Sequence, residues 1–219
     1  GFARTQPWSL ASDTAAAETG TEGGADADTD AVAEAGLILT STPTTRALWP
    51  HEFDARLTVR LESGSLRLTF EVANTGTDAF PFALALHTYL RTPDVGQTLL
   101  TGLEGLHYWD AVAHLQQPDV RQLQPAAPVG FGGETDRVYA GVARPLTMSA
   151  PGAVLTVRQS ASLPDAVVWN PGADRCAQLE DMPPDGWRHM VCAEAACINQ
   201  PVTLLPGTSW QGWQELRVG

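Results

Sequence analysis

The chain has 219 residues, 43% of them hydrophobic, with a formal net charge of −12. That length and composition allow one large domain or two small ones with a sizeable core. The negative charge argues against nucleic acid or an anionic membrane as a partner, and no apolar run approaches the ~20 residues of a membrane span.

Much of the charge is local. Between Asp13 and Glu34 there are four Asp, three Glu and no Lys or Arg, so the remainder carries −12 + 7 = −5. The three cysteines, Cys176, Cys192 and Cys197, form no C-x-x-C pair. Neither a disulfide framework nor a zinc site is indicated, and free thiols in a cytoplasmic protein are the simplest expectation.

In chain order, Gly1 to Leu10 reads as a short strand with exposed ends. It opens without an initiator methionine or a signal-peptide pattern, which reads as a processed product or a fragment. Residues 11–36 are mostly Ala, Gly, Asp, Glu and Thr with no aromatic residue. Such a segment buries too little apolar area to offset its ordering entropy, and it is expected to be an acidic, mobile loop insertion. Asp26, Asp28 and Asp30 have the spacing of a calcium loop, but the glycine and closing glutamate that such a loop needs are missing.

From Leu37 onward the pattern is strand after strand. Leu57, Val59 and Leu61 alternate with polar residues, as do Leu66, Leu68, Phe70 and Val72, with Ser63-Gly64 between them; this predicts a hairpin. Asn74-Thr75-Gly76 turns the chain into Phe80–Leu90, an uncharged apolar run expected to be a strand buried on both faces or nearly so. Further strands are expected at Arg137–Ala140, Pro145–Ser149, Ala153–Gln159, Asp165–Asn170, Met190–Ala195, Pro201–Leu205 and Ser209–Val218. Turns fall at Pro151-Gly152, Pro171-Gly172 and Pro206-Gly207. Arg175–Asp181 and Asp185–Met190 each suit a turn or two of helix. The expectation is an all-β sandwich or barrel in a single domain spanning 1–219.

Two polar residues interrupt apolar strands. His87 stands near the end of Phe80–Leu90, where it is either a core histidine bonded to backbone or a proton donor at a cleft. Glu194 lies within Met190–Cys197, where a buried carboxylate must be paired, protonated or functional. Asp136 and Arg137 stand at a strand entrance, the usual place of a solvated turn. Trp169, at the end of Val167-Val168-Trp169-Asn170, is either a core residue or the floor of a sugar site.

Taken in order, His87 in LHTY, Asp136 in ETDRVY, Trp169 and Asn170 in VVWNP, Glu194 in MVCAEA, and the closing PVTLLPGTSWQGWQEL resemble the hexose-6-phosphate mutarotases. These are the glucose-6-phosphate 1-epimerases, related to aldose 1-epimerase. GFAR at Gly1–Arg4 and GLEGLHYWD at Gly102–Asp110 fit the same pattern. The resemblance implies a large twisted antiparallel β-sandwich of the galactose mutarotase-like kind with a sugar cleft. It puts the acid on His87, the base on Glu194 and a sugar-binding aspartate on Asp136, and it implies no metal and no organic cofactor.

In that family GFAR follows a further N-terminal portion. The resemblance therefore implies that the first strands are lacking and that activity is impaired if nothing precedes Gly1. Arg4 is expected to help bind a 6-phosphate from a poorly held chain end, and Trp169 or Trp187 to stack on the pyranose.

The residues suit the chemistry. Interconverting the α and β anomers of a hexose 6-phosphate needs a base at the anomeric hydroxyl, an acid at the ring oxygen, and reclosure of the opened aldehyde. A non-catalytic carbohydrate-binding β-sandwich would need no proton-transfer pair, and a glycoside hydrolase would need two facing carboxylates, such as Asp136 with Glu194. The expected partner is a hexose phosphate or related sugar, bound by a cytoplasmic monomer without nucleic acid or membrane.

Overall fold

A computed structural model describes residues 1–12 and 32–219. The Asp26–Asp28–Asp30 pattern and most of the 11–36 segment lie outside the described residues. Ala33–Gly36, read as part of that segment, instead open a strand. The chain divides into two compact units, Gly1–Phe82 with Val202–Arg217, and Ala83–Pro201 with Val218–Gly219.

The first unit contains β1 (Ser9–Leu10), β2 (Ala33–Thr40), β3 (Phe53–Glu62), β4 (Ser65–Asn74) and the C-terminal strand Ser209–Val218. They pair antiparallel in that order. The predicted hairpin is β3–β4, closed by Glu62 opposite Ser65, with Gly64 at φ 70° in the turn. Asn74 makes the next turn, accepting from Gly76 N through Oδ1 at 3.0 Å.

Among the described residues of this unit, the α-helix α1 (Pro43–Leu48) escapes a strand-period reading. Thr42 caps it through a capping box with Thr45, and Pro43 opens its first turn, a combination that favours helix initiation. The opening stretch is not simply a strand: Ala3–Thr5 form a single 3₁₀ turn ahead of β1. Phe2 packs against Trp49 and Phe53, and Trp8 Nε1 donates to the carbonyl of Ala3 at 3.0 Å.

Beyond it run β5 (Phe80–Leu86), β6 (Tyr89–Arg91), β7 (Leu99–Thr101), β8 (His107–Asp110), β9 (Gln122–Leu123), β10 (Val129–Gly130), β11 (Thr135–Tyr139), β12 (Leu146–Ala150), β13 (Ala153–Gln159), β14 (Asp165–Asn170) and β15 (Met190–Leu204). In the second unit β13, β12, β7 and β10 are neighbours in one sheet; β5, β15, β14, β11, β8 and β9 follow one another in another, with β6 also on β15. All the described pairings are antiparallel within these sets.

Strand β5 is not buried on both faces. Phe80 and Leu86 are buried, but Pro81 and Ala83 are exposed. Its apolar run therefore marks one buried flank of the sheet rather than its centre. The central strands are β14 and β15, where nearly every residue from Asp165 to Asn170 and all from Met190 to Cys197 are buried. β15 also runs through the predicted break before Pro201. The buried Asp165 carboxylate accepts from the N–H groups of Ile198 and Asn199, both at 2.8 Å.

Candidate active site

Strand register alone assembles a row of side chains on one face of the second unit's sheet. Asp136 on β11 lies opposite Trp169 on β14, Trp169 opposite Cys192 on β15, and Cys192 opposite Tyr89 on β6. Directly opposed residues share a face, as do residues two apart on a strand. Glu194, two residues beyond Cys192, therefore joins them, opposite Val167 and through it Val138.

Val138, Val167 and Ala196 form a buried apolar cluster with Ala85, Trp109 and Ile198 packed against it. Glu194 thus emerges from a dry part of the sheet and is only 4% exposed. His87 follows directly on β5, before β6 begins. Its Nε2 stands 3.5 Å from Glu194 Oε1, and its Nδ1 stands 3.6 Å from Cys192 Sγ.

The aromatic neighbours set the plane of the imidazole. Tyr89 stacks on it, with ring centroids 4.8 Å apart and planes 17° apart, while Trp169 meets it edge-on at 5.6 Å. Tyr89 and Trp169 also meet edge to face. Tyr89 is half open to solvent and Trp169 partly so. Together they offer an aromatic wall beside the polar pair.

Electrostatics follow from burial. Desolvation raises Glu194 to about 8, reinforced by the negative charge of Asp136. Asp136 itself is raised to about 6, by burial first and then by Glu134 and Asp110. The coupling acts mainly on Glu194 because Asp136, with the lower value, ionises first. Burial, and then Glu194, hold the Cys192 thiol well above the ordinary range.

A ring nitrogen of His87, the Cys192 Sγ and a Glu194 oxygen all lie within 4.8 Å of one another. A cation could be held there only by displacing protons that burial keeps on both the thiol and the carboxyl. The trio is therefore a hydrogen-bonding cluster first.

Behind the row, Asn170 fixes the start of β15. Its side-chain amide donates to the carbonyls of Trp187 and Met190, both at 2.8 Å, and its Oδ1 accepts from Gly172 N at 2.8 Å. Gly172 is at φ +62°, and a Cβ there would lie 2.6 Å from the backbone N of Glu134. The Trp169-Asn170-Pro171-Gly172 turn thereby holds β14 against the entrance of β11, where Asp136 stands.

Of the residues expected from sequence, His87, Glu194, Asp136 and Trp169 share this site. Trp187 lies on the 3₁₀ turn Gly186–His189, with the Arg188 guanidinium over its ring. Arg4 belongs to the first unit, exposed on the Ala3–Thr5 turn. That turn is anchored by Phe2 and Trp8, so the expected poorly held end is corrected. Tyr89 and Cys192 were not singled out from sequence. Each lies two residues from one that sequence points to, but its place in the row comes from the pairing of β6 with β15.

A family profile described as aldose 1-epimerase matches residues 1–217. The chain is 32% identical to a protein of Cenchrus ciliaris named "Putative glucose-6-phosphate 1-epimerase", over 97% of this chain and 62% of that one. It is 29% identical to a protein of the same name from Escherichia coli K12, over 91% of this chain and 60% of that one. The chain thus spans about three fifths of the length of these relatives. Among solved structures, a "putative mutarotase" of Salmonella typhimurium superposes with a TM-score of 0.81 at 24% identity, covering 100% of this chain and 67% of that one. The fold class is accordingly the antiparallel β-sandwich of galactose mutarotase-like proteins.

Proposed function

The chain belongs to the aldose 1-epimerase family, and we propose that it interconverts the α and β anomers of a hexose 6-phosphate, with Glu194 as base and His87 as acid. The observation that carries this reading is the pair itself: a partly exposed histidine whose Nε2 stands 3.5 Å from a carboxyl group sunk in the sheet. A sugar-binding module needs the aromatic wall but has no use for a buried carboxylate facing a histidine.

As carboxylate, Glu194 takes the proton of the anomeric hydroxyl. As imidazolium, His87 gives its Nε2 proton to the ring oxygen. The C1–O5 bond breaks, leaving an aldehyde, and rotation about C1–C2 presents the other face. Reclosure returns both protons with the roles reversed, so the enzyme ends as it began. Each positioned acid or base is worth ~10²–10⁴ in rate. The raised value of Glu194 makes it a stronger base once ionised than an exposed glutamate.

In this reading Asp136 holds sugar hydroxyls, while Trp169 and Tyr89 cover an apolar face of the pyranose. Arg4 is assigned to the 6-phosphate, which its planar fork suits. The relatives' names motivate the choice of a hexose phosphate. The reading takes the protein as a cytoplasmic monomer that works without a cofactor. Among the described residues no helix is long and apolar enough to cross a membrane, and all three cysteines are free and buried.

Polarimetry on freshly dissolved α-glucose 6-phosphate and α-glucose tests it. The expected result is catalysed relaxation of both rotations, faster with the phosphate. Relaxation no faster than buffer would remove the catalytic reading.

A further inference from the structure

We propose that Cys192 is a positioning residue for His87: its Sγ, 3.6 Å from Nδ1, fixes which edge of the imidazole faces Glu194, whether the ring is charged or neutral. This rests on the assignment of His87 and Glu194 as acid and base.

An imidazole ring can turn over by 180° about its bond to Cβ. The turn puts a C–H where Nδ1 was and another where Nε2 was, and proton transfer to a substrate is then lost. The stacked ring of Tyr89 and the edge of Trp169 restrain the plane. They are nearly blind to the turn, because carbon and nitrogen stack alike. A hydrogen-bonding atom beside Nδ1 is not blind to it, and Cys192 supplies one.

That sulfur is held on both sides. Cys192 is fully buried, and on β15 it is paired with Trp169 on one side and Tyr89 on the other. Among the described residues, the titratable groups around the imidazole include Glu194 at Nε2, Cys192 at Nδ1 and Tyr89 on its face, with Asp136 acting through Glu194.

A thiol is suited to this place because it is both a weak donor and a weak acceptor. Opposite a resting neutral imidazole, S–H donates to Nδ1 and leaves the ring's proton on Nε2; in the neutral ring left by proton transfer, sulfur instead accepts from Nδ1–H. Opposite an imidazolium, Nδ1–H donates to sulfur. When His87 gives its Nε2 proton to the ring oxygen, the proton left on Nδ1 stays against sulfur; the thiol itself neither gains nor loses a proton. A carboxylate in the same place would hold the imidazolium and weaken it as an acid. A methyl group would orient neither state.

The test compares Cys192→Ala and Cys192→Ser with the parent chain. Nitrogen NMR of histidine-labelled protein, with His87→Asn to assign the signal, reads the tautomer of neutral His87. The proposal expects the Nε2–H form in the parent and in Cys192→Ser, and a mixture in Cys192→Ala. In kinetics, Cys192→Ala should lose about 10- to 100-fold in kcat with KM little changed, the usual scale for a misplaced catalytic group. Cys192→Ser should recover most of that loss.

A folded Cys192→Ala with the parent tautomer and parent kcat overturns the proposal. Where Cys192→Ala does not fold, Cys192→Ser carries the test, and a folded Cys192→Ser with mixed tautomers overturns it. If His87→Asn and Glu194→Gln keep parental rates, the acid/base assignment fails instead, and the tautomer measurement still decides what Cys192 does.

Discussion

His87 and Glu194 face one another 3.5 Å apart, with the histidine side chain 42% exposed and the glutamate 5%. The glutamate is dry because β14 and β15 are the centre of their sheet, with Val138, Val167 and Ala196 beside it. The histidine is wet because β5 ends just before it. An exposed imidazole beside a desolvated carboxyl group gives the pair its chemical asymmetry.

Desolvation should be visible in stability. Glu194 is raised from an ordinary 4.5 to about 8 in the folded chain. Between those values the folded state binds a proton that the unfolded state has lost, so the contribution to stability is largest below about 4.5 and is lost as pH rises to about 8. Glu194→Gln removes that slope. Its melting temperature should gain on the parent as pH rises from about 5 to about 9, with several kcal/mol as the upper bound at ~1.4 kcal/mol per pKa unit. A pH-independent difference between the two would show that Glu194 is not desolvated.

The same coupling predicts a bell-shaped pH profile for kcat/KM. The pair works with one proton between its two members and titrates as a unit. Above about 8, the raised value of Glu194, the pair loses its last shared proton, and with it the imidazolium that serves as acid. The basic limb should therefore fall near pH 8. At the acid limb both members are protonated and the base is gone. Initial rates over that range, corrected for buffer catalysis, check this; a flat profile would contradict it.

Gly172 should tolerate no side chain. It combines φ +62° with a backbone nitrogen 2.6 Å from where a Cβ would stand. Gly172→Ala should cost about 1–3 kcal/mol, the scale of a strained backbone position. Because Glu134 is the atom's owner and Asp136 is two residues on, KM for the sugar should rise as well. Thermal melts with initial rates test both; a parental melting temperature would mean that the turn moves freely.

Arg4→Ala should raise KM for glucose 6-phosphate and leave activity on glucose unchanged. A charged hydrogen bond is worth roughly 1.5–3 kcal/mol, or about 10- to 100-fold in affinity. Equal losses on both sugars would mean that Arg4 supports the fold around Phe2 and Trp8.

Long strands were legible because their alternation is long: Leu57–Val72 shows period two on both arms, and β13 and β14 fall where the turns at Pro151-Gly152 and Pro171-Gly172 put their limits. Strands β6 to β10, with two to four residues each, are too short to display a period. β15 read as two strands because Asn199, Gln200 and Pro201 are poor strand formers, whereas Asp165 from β14 bonds the backbone there. In the site, His87 and Glu194 stand out as polar residues in apolar runs of sequence. Tyr89 and Cys192 do not, since both are ordinary strand residues. Their place depends on the pairing of β6 with β15 across about a hundred residues, which no local pattern encodes.

The most direct measurement is the anomerisation rate of α-glucose 6-phosphate, followed by polarimetry or by NMR exchange between anomeric protons, for the parent chain, Glu194→Gln and His87→Asn at equal concentration. The account predicts that each variant folds with the parental circular dichroism and loses at least ~10²-fold in kcat. Near-parental turnover in either variant would contradict the assignment of this pair as base and acid.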